Sequence, residues 1–144
     1  MFKKKELETV YDLLIKKELS QANNLLINLR QFGVLHPEYL FLMSLFLMET
    51  GRTYLAIDSL LLSLKVDNTP EVMKKNNFEC TTEKLVEKRY ETLISLFEKI
   101  KINDLKNMVI QAKEKSDASQ FLEHLSKVMP GIRLKKAINK YSDI

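Results

Sequence analysis

Apolar residues recur three and four positions apart along almost the whole chain of 144 residues. This spacing places them on one face of an α-helix and is the main secondary-structure signal in a single sequence. Leu7, Val10, Tyr11, Leu14 and Ile15 form the first such stripe. The chain has only three glycines and three prolines, whereas a strand-rich fold needs many turn residues. We therefore predict an all-α fold with little or no sheet.

Residues that favour helix ends divide the chain into antiparallel helical hairpins. Pro37 and Pro70 each place a proline in a first helical turn, and a glutamate follows each of them at the positive end of the helix dipole. Gly51 can take the left-handed conformation that ends a helix. We predict one domain over 1–144, with hairpins at about 3–33, 37–66, 82–114 and 117–142 and a connecting loop at about 67–81.

Small residues occur at regular positions within residues 37–70. Ser44, Ala56 and Ser63 are separated by twelve and seven residues, and Gly51 lies at the turn between the two helices. Small side chains are needed where paired helices cross closely, and large apolar ones fill the space to the next hairpin. The large residues in the pattern are Leu40, Met43, Leu47, Tyr54 and Leu60. This stretch resembles a tetratricopeptide repeat, a helical hairpin of about 34 residues.

The resemblance implies an array of antiparallel hairpins, an α-solenoid with a right-handed superhelix, in which residues 3–36 form a second, degenerate repeat. In that family, the first helix of each repeat lines a concave groove that receives a peptide or an amphipathic helix. The matching groove positions are Glu38, Phe41, Leu45, Met48 and Glu49, and Tyr11 and Leu14 would continue the groove. The matching repeat-packing positions are Ser44, Gly51, Ala56 and Ser63.

The helix that begins at Pro37 is apolar on nearly every side, so both of its faces must be covered. A partner in a groove would cover one face, and this is the functional interpretation. Phe41, Leu45 and Met48 would instead be ordinary core residues if neighbouring hairpins cover them. Self-association as a homodimer through the same face is the third possibility.

The chain lacks the motifs that catalysis or cofactor binding would need. Its three glycines are too isolated to build a phosphate-binding loop. His36, His124 and the single cysteine Cys80 show no metal-ligand spacing, although a Cys80–His124 pair could still meet in space. We expect a non-catalytic protein without cofactor or metal that binds another protein as a scaffold, an adaptor or a chaperone-like module.

Basic residues are concentrated in the last third of the chain. The net charge is +4, and residues 99–144 carry ten Lys or Arg against five Asp or Glu. The cluster consists of Lys127, Arg133, Lys135, Lys136 and Lys140, with Tyr141 beside it. Lysine clusters can neutralise phosphates, but single-strand binding usually needs several stacking aromatics. Nucleic-acid binding is therefore the alternative function, and a solvated terminal helix is the simpler explanation.

The sequence also indicates the cellular compartment of the protein. Cys80 is the only cysteine, so an intramolecular disulfide is impossible and a reducing compartment is expected. No apolar stretch follows the first lysines, so the start does not resemble a secretory signal. The most apolar run, Tyr39 to Met48, is about half of the roughly 20 residues that a membrane span needs. We expect an intracellular, cytoplasmic protein without a membrane span.

Overall fold

The computed structural model describes residues 4–30, 36–76, 83–115 and 117–128. These ranges contain eight α-helices and no strand, which confirms the predicted all-α class. The helices are α1 (Lys4–Ile15), α2 (Leu19–Arg30), α3 (Pro37–Glu49), α4 (Thr53–Asp67), α5 (Pro70–Lys75), α6 (Glu83–Lys99), α7 (Asn103–Lys115) and α8 (Ser119–Val128). The second helix predicted for the hairpin at 117–142 falls outside the described residues.

The start of α3 follows directly from its sequence. His36 is the N-cap residue, and its Nδ1 accepts a hydrogen bond from the Glu38 N–H at 3.1 Å. Pro37 occupies the first helical turn, where its missing N–H removes no helical hydrogen bond. The prediction that a helix begins at this point is confirmed.

The same type of turn ends each of the helices α1, α3 and α6. One residue in each turn has a positive φ: 61° at Lys17, 80° at Gly51 and 60° at Lys101. The N–H of the following residue returns to a carbonyl five residues earlier, with N–O distances of 2.9, 2.9 and 3.0 Å. This is the hydrogen bond of a Schellman motif, and it confirms the left-handed helix stop predicted at Gly51. Lys17 precedes Gly51 by 34 residues, so the first two hairpins repeat the turn at a fixed interval.

Substitutions at these turns should change stability in opposite directions. Left-handed backbone is unfavourable for residues other than glycine, so Lys17→Gly and Lys101→Gly should each raise the free energy of unfolding by about 0.5–1 kcal/mol. Gly51→Ala should lower the free energy of unfolding by about 1 kcal/mol, because alanine is strained at a φ of 80°. An added Cβ would meet nothing within 4 Å, so a steric clash does not contribute. Urea denaturation of the three variants measures the differences. A stabilising Gly51→Ala would contradict this account of the turn.

Each hairpin packs mainly on its neighbours along the chain. α1 and α2 both contact α3, α4 contacts α3 and α6, and α7 lies between α6 and α8. One apolar core runs through all of these helices, from Leu7 and Val10 in α1 to Phe121 and Leu122 in α8. Consecutive packing of this kind buries the apolar face of every hairpin against the next one.

The segment after α4 is more ordered than predicted. Within the connecting segment predicted at about 67–81, Pro70–Lys75 forms the short helix α5, which begins at the proline expected in a first helical turn. Val72 of α5 is buried and packs with Leu40, Leu62 and Val66 in a second apolar cluster. This tertiary contact holds a helix of six residues, which would be too short to persist alone.

Candidate functional site

Four of the residues predicted to line a groove lie inside the protein. The exposed fractions are 2% for Glu38, 0% for Phe41, 5% for Leu45 and 2% for Leu14. The three apolar residues belong to the main core, where neighbouring helices cover them. In this conformation they offer almost no surface to a partner, so the core interpretation of Phe41 and Leu45 describes them better than an open groove does.

The other three predicted groove residues, Tyr11, Met48 and Glu49, are partly exposed. The ring of Tyr11 lies over Phe41, with 6.2 Å between the ring centroids and a tilt of 33°. Met48 is seven residues after Phe41 on α3 and therefore shares its side of the helix, two turns further along. The accessible part of the predicted groove is thus reduced to a strip above buried apolar residues.

Charged residues of α6 border this strip on the side of Tyr11. Lys88 Nζ pairs with Glu91 Oε2 at 3.2 Å, and Lys113 of α7 lies 3.4 Å from Glu91 Oε1 and 3.9 Å from Glu87 Oε1. The pKa of Lys88 is raised by its hydrogen bond to Glu91, then by the charge of Glu91 and next by Tyr11. The Tyr11 and Lys88 side chains are therefore within electrostatic range of each other.

We call these residues the α1/α3/α6 face. It consists of Tyr11 from α1, Met48 and Glu49 from α3, and Lys88 and Glu91 from α6. α1, α3 and α6 are each the first helix of a hairpin in chain order. The face therefore combines partly exposed apolar groups with both signs of charge.

The predicted repeat-packing residues lie where α3 and α4 meet. Ser44, Ala56 and Ser63 are fully buried. Ser63 Oγ donates to the Pro37 carbonyl at 2.6 Å, whereas Ser44 Oγ donates within its own helix, to the Phe41 carbonyl at 2.5 Å. Ser59 makes a second link between the helices by donating to the Leu40 carbonyl at 2.6 Å. The small residues thus allow hydroxyl groups of α4 to reach backbone carbonyls of α3.

Arg89 is a buried, hydrogen-bonded residue that the sequence analysis did not identify. Charged side chains on a helix usually face solvent, but Arg89 has no exposed surface. Its Nη1 donates to Ser63 Oγ at 3.0 Å, and its Nη2 binds Asp67 Oδ2 at 2.8 Å. Arg89 lies three residues after Val86 and four before Leu93, within the apolar stripe of α6. Its position in the apolar stripe was the sequence feature that indicated burial of Arg89.

His36 is buried beside this arginine. Desolvation, followed by the positive charge of Arg89, lowers the pKa of His36 from 6.5 to about 4, while Asp67 acts in the opposite direction. The neutral imidazole is also the form that caps α3, because Nδ1 needs a free lone pair to accept the Glu38 N–H. His36 is therefore neutral at neutral pH.

Ion pairs form at four of the described charged residues of α6: Glu87, Lys88, Arg89 and Glu91. The pKa of Glu91 is lowered by the hydrogen bond from Lys88 and, more weakly, by Lys113, so this carboxylate stays ionised. No group of three or more His, Cys, Asp or Glu in the described ranges could hold a metal ion. Cys80 is outside these ranges, so its possible pairing with His124 stays a hypothesis.

A separate apolar cleft of about 300 Å³ lies between α1 and α2. Its lining comprises Lys5, Glu6, Thr9, Val10, Leu25, Asn28 and Leu29. None of these residues belongs to the predicted groove. The cleft is thus distinct from the α1/α3/α6 face.

A bilayer-spanning helix does not occur among the residues that the structure describes, because none of their helices is both long and apolar enough. Comparison of the chain with protein-family models, with curated proteins and with solved structures gives no match.

Proposed function

We propose that this chain is a non-catalytic protein-interaction module built as a tetratricopeptide-like array. In this proposal, a peptide or an amphipathic helix of a partner protein binds along the α1/α3/α6 face. The mechanism is passive, since a preformed surface buries an apolar segment of the partner. Scaffold, adaptor and chaperone-like roles are all compatible with such binding.

Two features support a repeat array over an irregular bundle. The helices contact their neighbours in chain order, as stacked hairpins do. The Schellman turns at Lys17 and Gly51 are 34 residues apart, which is about one tetratricopeptide repeat. The third turn, at Lys101, follows after 50 residues because α5 and the segment after it are inserted between α4 and α6. The inserted segment accounts for the departure from a regular repeat.

The observation that carries the binding proposal is the position of Tyr11. Its ring lies over Phe41 of α3, and its side chain is within electrostatic range of Lys88 of α6. In the proposed array, first helices of successive hairpins contribute to one side of the molecule, as the first helices of a tetratricopeptide groove do. Tyrosine is enriched at binding surfaces because it combines a large apolar ring with a hydrogen-bonding group.

The experiment is affinity capture from nuclease-treated native extract at low and moderate salt, with two matched variants. Met48→Lys places a charge on the α1/α3/α6 face, and we expect about a tenfold or greater loss of the captured protein. Met43→Lys is the control, because Met43 is a partly buried methionine of the same helix that lies about 140° away around its axis. Circular dichroism verifies that both variants fold.

Equal loss of the captured protein in both variants would contradict binding through this face. Phe41 is unsuitable for the same purpose, because a charge at a fully buried position would disrupt the fold itself.

Nucleic-acid binding is the alternative function, and the same experiment separates it. The side chains of Lys127, Arg133, Lys135, Lys136 and Lys140 are outside the described part of the structure, so no geometry favours this alternative. Binding to phosphates weakens steeply with salt, whereas burial of apolar surface tolerates moderate salt. Capture that is sensitive to nuclease and indifferent to Met48→Lys would favour nucleic acid.

Self-association is a third possible use of the α1/α3/α6 face. A homodimer formed through it would bury Tyr11 and Met48 of both copies. Sedimentation equilibrium of the wild type and of Met48→Lys distinguishes this case. A dimer that Met48→Lys converts to a monomer would make the second copy the partner.

A further inference from the structure

A chain of polar contacts joins three helices in the interior. Arg89 of α6 donates to Ser63 Oγ of α4, and Ser63 in turn donates to the Pro37 carbonyl at the start of α3. Arg89 also binds Asp67 at the end of α4. His36, Ser63, Asp67 and Arg89 form what we call the polar junction. The Ser63 hydroxyl is its centre, because it both accepts from α6 and donates to α3.

The polar junction lies beside an apolar core that is continuous between the two parts it links, and each part also has apolar contacts of its own. On one side, α3 and α4 are in extensive contact with each other, and α3 also packs on α1 and α2. On the other side, Phe97 of α6 meets Phe121 of α8 edge to face, with 6.2 Å between the ring centroids. Either part retains apolar contacts if the polar junction opens.

His36 is the residue through which acid can act on the polar junction. It immediately precedes Pro37, whose carbonyl accepts from Ser63. Arg89 from α6 and Asp67 from α4 are the charged groups that act on its imidazole, and Glu38 on α3 contributes its backbone N–H. Protonation would remove the Nδ1 lone pair that caps α3 and place a second cation near the buried guanidinium.

We propose that the polar junction is an acid-released joint: protonation of His36 separates α6 from the α3–α4 hairpin before the chain as a whole unfolds. This event would also move Lys88 and Glu91 away from Tyr11. It would therefore dismantle the α1/α3/α6 face, a consequence that rests on the proposed function. The joint itself does not depend on that function.

The pH range follows from the direction of the His36 shift. The folded pKa of His36, about 4, is below the ordinary value of 6.5, so the closed joint binds fewer protons than the open one. The stabilisation by neutral His36 is fully present above about pH 6.5. It is lost progressively as the pH falls from 6.5 towards 4.

The test compares wild type with His36→Asn by amide hydrogen exchange at neutral pH and at about pH 4. Asparagine is a good N-cap residue, so the variant keeps an acceptor for the Glu38 N–H but cannot become charged in this range. Exchange rates are corrected for their intrinsic pH dependence. In wild type, we expect acid to reduce the protection of α6 amides around Arg89 about tenfold or more relative to α1 and α2 amides.

In His36→Asn, the difference between these helices should disappear. Equal loss of protection in all helices of wild type would overturn the joint, as would the same selective loss in His36→Asn. The imidazole signals of wild-type His36 in an NMR titration give a second measurement that needs no variant. The chemical shifts of the imidazole and of the α6 amides should change over the same pH range. An imidazole titrating near pH 6.5 would also overturn the proposal.

Discussion

Asp67→Ala is expected to lower the free energy of unfolding by about 2–3 kcal/mol, less than for a fully buried ion pair because the Asp67 side chain is 28% exposed. The substitution leaves the guanidinium of Arg89, which has no exposed surface, without its carboxylate at 2.8 Å. Urea denaturation at neutral pH, followed by far-UV circular dichroism, measures the loss.

The double variant Asp67→Ala/Arg89→Met is the matched control for this prediction. Methionine fills much of the arginine volume without a charge, so the double variant should recover most of the stability that Asp67→Ala loses. Ser63 then keeps its hydrogen bond to the Pro37 carbonyl. If the double variant is less stable than the single one, the buried charge is not the source of the loss.

Phe41→Ala should lower the free energy of unfolding by about 3–5 kcal/mol, as expected when a buried phenylalanine is truncated. Phe41 has no exposed surface and packs beneath the Tyr11 ring. The loss would be a large share of the roughly 5–15 kcal/mol by which a domain is usually stable. Urea denaturation of the variant measures it.

Phe46→Ala is the control, because Phe46 is on the same helix but only partly buried. It should lose less than Phe41→Ala. If Phe41→Ala loses no more than Phe46→Ala, then Phe41 is not the core residue that its burial indicates, and the groove interpretation of this position would regain support.

Local signals in the sequence were sufficient to predict the helices. Proline at the start of α3 and glycine at its end act within one helical turn, so neither depends on distant residues. Pro70 indicated the start of α5, but its packing was not predicted, because that packing depends on Val72 reaching Leu40 and Leu62. The left-handed conformation of Lys17 and Lys101 was not predicted either, since lysine has no preference for that conformation.

The α1/α3/α6 face overlaps the predicted groove only in part, for a different physical reason. Helical periodicity identifies which residues share a side of α3, but not how completely other hairpins cover that side. Phe41 and Leu45 turned out to be covered, while Met48, on the same side, is partly exposed. Arg89 was missed because the pairing of a buried charge depends on partners that are distant in sequence, here Ser63 and Asp67.

The most direct test of the central claim is the dissociation constant of the captured partner for wild type, Met48→Lys and Met43→Lys, measured by titration calorimetry. Binding through the α1/α3/α6 face predicts about a tenfold or greater weakening for Met48→Lys and little change for Met43→Lys. Equal affinity of wild type and Met48→Lys for that partner would contradict the claim that this face binds it.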